Sequence, residues 1–136
     1  VSSPNPSSAQ SKRPGPKGSC IVVVSTDAPI DHAACERLAR RAGLGLARVG
    51  STAHHGSGEI FMAFATGLRA TRTSRSESAP VVGSDLDDYF AAVVDATEEA
   101  ALGSMLQSQT VVGRDGNTLP GLPADKVKSL LRELPG

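Results

Sequence analysis

The sequence predicts an α+β fold in which helices cover one face of a mixed sheet. Three observations lead there. Two short runs, Ile21–Val24 and Glu59–Ala65, are nearly continuous in apolar residues, with β-branched and aromatic side chains that suit strands. Three longer segments, near 31–42, 84–106 and 124–134, carry apolar residues at helical spacing. Strands this apolar need cover on both faces, yet three helices can cover only one side of a sheet. The other side is therefore expected to present a wide apolar surface that a further segment buries.

Residues 1–18, VSSPNPSSAQSKRPGPKG, hold almost no large apolar side chain and read as a flexible linker ahead of a domain over 19–136. The chain begins with Val1 rather than Met, which suggests a fragment, a processed product or an alternative start. After the first strand, Asp27-Ala28-Pro29 breaks the run. Ala34, Cys35, Leu38 and Ala42 then mark a helix face, with Arg37, Arg40 and Arg41 toward water and Gly43 as its stop. Gly45–Val49 reads as a short strand, and His54-His55-Gly56-Ser57-Gly58 as a glycine-punctuated turn before the second long strand. Residues 67–83, with Arg69, Arg72 and Arg75, read as a loop or an irregular edge strand carrying solvated charge. Ser84 suits an N-cap, and Asp85, Asp87 and Asp88 suit the first turn of the long helix that follows. Leu86, Phe90, Val93, Val94, Ala101 and Met105 or Leu106 line its apolar face. A turn over Gly113–Asn117 leads to a last helix whose stripe of Val127, Leu130, Leu131 and Leu134 is expected to be buried.

Composition removes several function classes. At 136 residues the chain fits one domain with a workable core. Fourteen basic residues balance 14 acidic ones, and there is one Tyr and no Trp, so neither a nucleic-acid surface nor an anionic membrane is favoured. The apolar run 21–24 is far too short to span a bilayer. Cys20 and Cys35 form no metal-ligand spacing and read as reduced thiols of a cytoplasmic protein. His54 and His55 are adjacent, so they point apart on an extended chain, and no second cluster completes a coordination shell. Neither a metal nor another cofactor is expected.

Chemistry concentrates at two short motifs. At Gly18-Ser19, a hydroxyl follows the linker directly and can attack the carbonyl of its own preceding residue. Glycine lowers the steric cost of that strained turn. Hydrolysis of the resulting ester leaves Ser19 as a new N-terminus. Its α-amine, with an ordinary pKa of about 7.7–8.0, can act as general base for the adjacent hydroxyl. In Ser57-Gly58-Glu59, glycine permits close approach of backbone, and a carboxylate entering an apolar strand needs a partner.

The segments GSCIVVVSTDAPIDHAACERLARRAGLGLARVGS and HGSGEIFMAFATG resemble the β-subunit of the L-aminopeptidase/D-esterase family, which includes the β-peptidyl aminopeptidases. The resemblance runs from about Gly18 to the C-terminus. It implies half of a four-layer α-β-β-α sandwich, related to the ornithine acetyltransferases. It also implies a precursor cut before a serine into α- and β-subunits that stay together. By position, Ser19 matches the nucleophile after the cleavage-site Gly18, while Ser57 and Glu59 match residues that orient the nucleophile and its amine. Cys20 stands where an apolar residue is usual and reads as a small core side chain. The α-subunit, which supplies an Asn for the oxyanion hole and a Tyr at the site, has no counterpart here.

The leading expectation is the β-part of a self-processing serine aminopeptidase or amidase. It would act on short peptides, amino-acyl amides or esters with a free amino terminus, with the α-segment of the same precursor as partner and assembly into homo-oligomers. Without that segment the chain is expected to be inactive. The alternatives are a non-catalytic truncated remnant or interaction module, and an acyltransferase like the ornithine enzymes, against which a serine in place of threonine speaks.

Overall fold

The computed structural model describes residues 18–69 and 78–133. The chain runs through β1 (Ser19–Thr26), α1 (His32–Arg48) and β2 (Gly58–Ala65). A 3-10 turn at Gly83–Leu86 enters α2 (Asp87–Leu106), and β3 (Val111–Val112), β4 (Thr118–Leu119) and α3 (Ala124–Glu133) complete it. Most of the expected linker, with Arg72, Arg75 and Leu134, lies outside the described residues.

β1 and β2 pair in parallel, from Ser19 opposite Gly58 to Thr26 opposite Ala65. Parallel neighbours need a long crossover, and α1 supplies it. β3 and β4 form a small antiparallel hairpin, so both strand senses occur. Its turn takes Asp115 and Gly116 to φ of 61° and 75°, the left-handed region that glycine enters freely.

Alternation along the two strands divides the sheet into unlike faces. Val22, Val24, Phe61 and Ala63 pack on the core formed by Ile30, Leu38, Ala42, Leu86, Phe90 and Val93. On the opposite face Ile21 is 68% exposed, Ile60 60% and Met62 53%, and Val23 and Phe64 are similarly open. Among the described residues that face has no cover, as expected of a sheet with helices on one side only.

The helices differ from expectation at several ends. Asp31 caps α1 by accepting a hydrogen bond from the Ala34 amide at 2.8 Å. Ala34, Cys35, Leu38 and Ala42 are all buried along it. Gly43 does not stop this helix, and Gly45–Val49 is not a strand: α1 continues to Arg48 because its last turns pack against α2. Arg48 ties the two helices with contacts to Asp95 at 2.5 Å and Glu98 at 3.2 Å. Arg37 and Arg41 do not simply point to water, since their guanidinium groups lie 4.9 and 4.0 Å from the Phe90 ring centre. Ser84 sits inside the 3-10 turn and makes no cap bond, whereas Asp87 and Asp88 occupy the first turn of α2. The apolar face of α2 is buried only as far as Thr97, leaving Met105 and Leu106 exposed. α3 forms as expected, but none of its residues is buried, and Leu130 and Leu131 face outward.

The two α1 glycines predict opposite responses to alanine. A Cβ at Gly45 would lie 2.5 Å from the Val94 carbonyl oxygen and 2.6 Å from Thr97 Cβ, so the helices would have to part. A Cβ at Gly43 would meet the Phe61 ring at 3.4 Å, an ordinary contact. Gly43→Ala is expected to gain up to about 1 kcal/mol from helix propensity. Gly45→Ala is expected to lose about 1–3 kcal/mol through overpacking. Urea midpoints of the two variants measure this, and a shift of the same sign in both is incompatible with a close helix crossing at Gly45.

Candidate active site

Parallel pairing builds the site. A strand of eight residues spans roughly 25 Å at about 3.3 Å per residue, so antiparallel pairing would place the two strand entrances at opposite ends of the sheet. In parallel register, Ser19 lies beside Gly58 and Cys20 beside Glu59, which sets Gly18-Ser19 against Ser57-Gly58-Glu59.

Ser57 is the hub. Its hydroxyl lies 3.1 Å from the Gly18 carbonyl oxygen and also contacts Glu59 Oε1. The hydroxyl carries a single proton, so carbonyl and carboxylate compete for it. Donated to Gly18, it polarises the carbonyl that precedes Ser19. Donated to Glu59, it ties the carboxylate to the strand entrance. The Ser57 amide donates to the His54 carbonyl at 2.7 Å, so the turn fixes the backbone of the hub.

Ser19 and Glu59 lie on opposite faces. Ser19 and Gly58 are on the open face, while Cys20 and Glu59 are half-buried toward the helices. Gly58 keeps the Ser19 hydroxyl clear, because even a Cβ there would come within 3.4 Å of its Oγ. Among the described residues Ser19 Oγ makes no hydrogen bond, so the sequence-derived trio is brought together as a Ser57–Glu59–Gly18 cluster with Ser19 beside it. Cys20 points away from the Ser19 face but is only half-buried and lies outside the core cluster. Cys35 is buried in α1, where burial and then the Asp31 charge push its thiol upward, away from the reactive thiolate. Both cysteines are free.

One wall of the site was not legible in advance. The turn before β2 curls around Gly18 and encloses a small cavity of about 160 Å³ lined by Thr52, Ala53, His54 and Ser57. His54 Nε2 lies 3.0 Å from Thr52 Oγ1, and Ala53 takes a positive φ of 47°. The sequence marks His54 only as a turn residue; no spacing within it signals proximity to Gly18. Among the described residues no cluster of three His, Cys, Asp or Glu side chains could hold a metal ion. No helix among them is long and apolar enough to cross a membrane.

The chain as a whole has counterparts among known proteins. The family described as Peptidase family S58 matches residues 3–119. This chain belongs to peptidase family S58. Among curated S58-like relatives, the β-peptidyl aminopeptidase BapA of Sphingosinicella xenopeptidilytica is 35% identical over 125 residues, covering 88% of this chain and 31% of that protein. The chain therefore spans about a third of the length of the relatives it matches. Among solved structures, the L-aminopeptidase D-Ala-esterase/amidase of Ochrobactrum anthropi superposes with a TM-score of 0.74 at 30% identity, covering 83% of this chain and 33% of that one. That protein is described as a prototype for the serine aminopeptidases and a variant of the Ntn hydrolase fold. A β-aminopeptidase from Burkholderia sp. superposes with a TM-score of 0.66 at 36% identity, covering 82% and 34% of the two chains. The S58 chain thus shares the α+β architecture of the Ntn hydrolase neighbours, as half of a sandwich.

Proposed function

We propose that this chain is the nucleophile-bearing β-part of a self-processing serine aminopeptidase or amidase. The observation that carries the reading is the Ser57 hydroxyl 3.1 Å from the Gly18 carbonyl oxygen, with the Ser19 side chain next along the chain. Ser19 Oγ adds to the Gly18 carbonyl carbon, and its proton passes to the departing amide nitrogen. The C–N bond breaks, an ester joins Gly18 to Ser19, and water hydrolyses it. Ser19 is left with a free α-amine that takes the proton from its own hydroxyl in later turnovers. The second cycle repeats the first on a substrate: its carbonyl takes the place of Gly18, its amine leaves, and water releases the acyl group.

The substrate class is a short peptide, amide or ester with a free amino terminus. Family membership favours hydrolysis over acyl transfer. Two free thiols fit a reducing, cytoplasmic setting. The α-segment of the same precursor is the partner that covers the open sheet face, and the exposed leucines of α3 favour association of further copies.

Co-expression with the α-segment tests the reading. Intact-mass analysis is expected to show a fragment beginning at Ser19, together with release of amine from an amino-acyl amide. Cys20→Ala is expected to cut normally, since its side chain faces the helices. Cutting that depends on Cys20, or that begins at another residue, overturns the assignment.

A further inference from the structure

In the function proposed above, on which this inference rests, Gly18 is the first acyl residue that the site handles. Later substrates bring their N-terminal residue to the same place, so the room around Gly18 bears on which residues are accepted. A Cβ added at Gly18 would meet no atom within 4 Å, which leaves space where a side chain would start. Gly18 itself lines the cavity of about 160 Å³ that the turn before β2 encloses. A cavity of about that volume holds one benzene ring, and an indole exceeds it.

The wall of this cavity is held at both ends. The Gly50 and Ser51 amides donate to the Ala47 and Leu46 carbonyls at 3.0 and 3.1 Å, which pins the strap 50–53 to the end of α1. Gly50 and Ala53 take φ of 95° and 47°, and these left-handed residues bend the strap around Gly18. At the other end the His54 carbonyl accepts from the Ser57 amide at 2.7 Å. His54 Nε2 lies 3.0 Å from Thr52 Oγ1, which braces the ring against the strap. His54 is exposed, so its ring stands between the cavity and solvent rather than in the core. No Asp, Glu, Lys or Arg lines the cavity among the described residues. A charged side chain entering it would lose hydration without gaining an opposite charge.

We infer that this cavity is the subsite for the side chain of the substrate's N-terminal residue, and that the His54 ring, braced by Thr52, is the wall that sets its size. The subsite takes uncharged side chains up to the size of a single ring and rejects an indole. His54 acts on binding and not on the reacting atoms, so it determines specificity without being a catalytic residue. Removing its ring leaves the backbone carbonyl that fixes Ser57, and the hub beside Gly18 keeps its support. A purely structural turn histidine would make the same contact with Thr52 but would have no effect on which residues are accepted.

The test uses this chain co-expressed with the α-segment, as wild type, His54→Ala and His54→Asn. Wild type is expected to hydrolyse alanine amide with a kcat/KM at least about tenfold above that for tryptophan amide. His54→Ala is expected to shrink that ratio by about tenfold, chiefly through a lower KM for the tryptophan amide, with His54→Asn in between. Residue 18 gives an independent reading through the cut itself. Gly18→Trp is expected to block cutting and Gly18→Ala to slow it far less, while Gly18→Trp combined with His54→Ala cuts again. If wild type cuts at Ser19 and hydrolyses amides, yet both His54 variants keep the wild-type ratio or Gly18→Trp cuts at the wild-type rate, the subsite inference fails and the proposed function stands. An equal loss on both amides in the His54 variants also overturns it, since that marks a structural turn residue. If wild type neither cuts nor hydrolyses an amide, both fail.

Discussion

Ser19→Ala, co-expressed with the α-segment, is expected to remain joined across Gly18–Ser19 and to hydrolyse no amino-acyl amide. In the proposed function both cycles begin with the same oxygen. Removing it leaves the Gly18 carbonyl polarised by Ser57 but without an attacking group held against it, and water must diffuse in instead. In a site where nucleophile and base act as a unit, loss of the nucleophile costs on the order of 10⁴-fold or more. The effect does not come from unfolding, because Ser19 lies on the open face and contributes little to the core. Ser19→Thr keeps the hydroxyl and is expected to retain partial cutting, limited by its added methyl beside Gly58. Intact mass reads the cut, and a continuous amine-release assay reads turnover. Cutting by the alanine variant at the wild-type rate would place the nucleophile elsewhere.

Ser57→Ala is expected to slow cutting by about 10²–10³-fold, the usual cost of losing one hydrogen-bond donor at a developing oxyanion. The hydroxyl that it removes is the one reaching the Gly18 carbonyl oxygen at 3.1 Å. Glu59→Gln acts through the same hub, since Glu59 contacts Ser57 and the amide keeps nearly the same shape. Losing the charged partner is expected to raise the barrier by about 2–4 kcal/mol. Because the two side chains share one proton, the double variant is expected to be little worse than the slower single one. Time courses of the Ser19 fragment give the three rates, and thermal unfolding of each variant controls for folding. Additive losses would mean that Ser57 and Glu59 act separately. Cutting by Ser57→Ala at the wild-type rate would reduce the hydroxyl to a turn cap.

The local elements were largely legible in the residues. Ile21–Val24 and Ile60–Ala65 read as strands, because the runs are short, bounded by glycine- and proline-containing turns and enriched in β-branched or aromatic residues. The stripe of Ala34, Cys35, Leu38 and Ala42 fixed a helix whose buried face is the expected one. Helix ends were less legible. Gly43 looks like a stop on propensity alone, yet the helix runs on to Gly45, where α1 approaches α2 too closely for any side chain, and packing outweighs a propensity cost of about 1 kcal/mol. The stripe of α3 shows the limit from the other side. Its periodicity gives an amphipathic helix, but burial also needs a neighbour, and Leu130 and Leu131 remain exposed among the described residues.

The site divides in the same way. Sequence alone set a hydroxyl after Gly18 and a serine and a carboxylate around Gly58, and local alternation set which side chains of a strand share a face, though not which face meets the helices. It could not set the sense in which the strands pair. Parallel pairing through α1 joins residues almost 40 positions apart, brings Ser57 to the Gly18 carbonyl, and leaves β1 with an open edge under α2. That choice depends on long-range burial of Val22, Val24, Phe61 and Ala63 against the helices, an interaction no short window of residues contains.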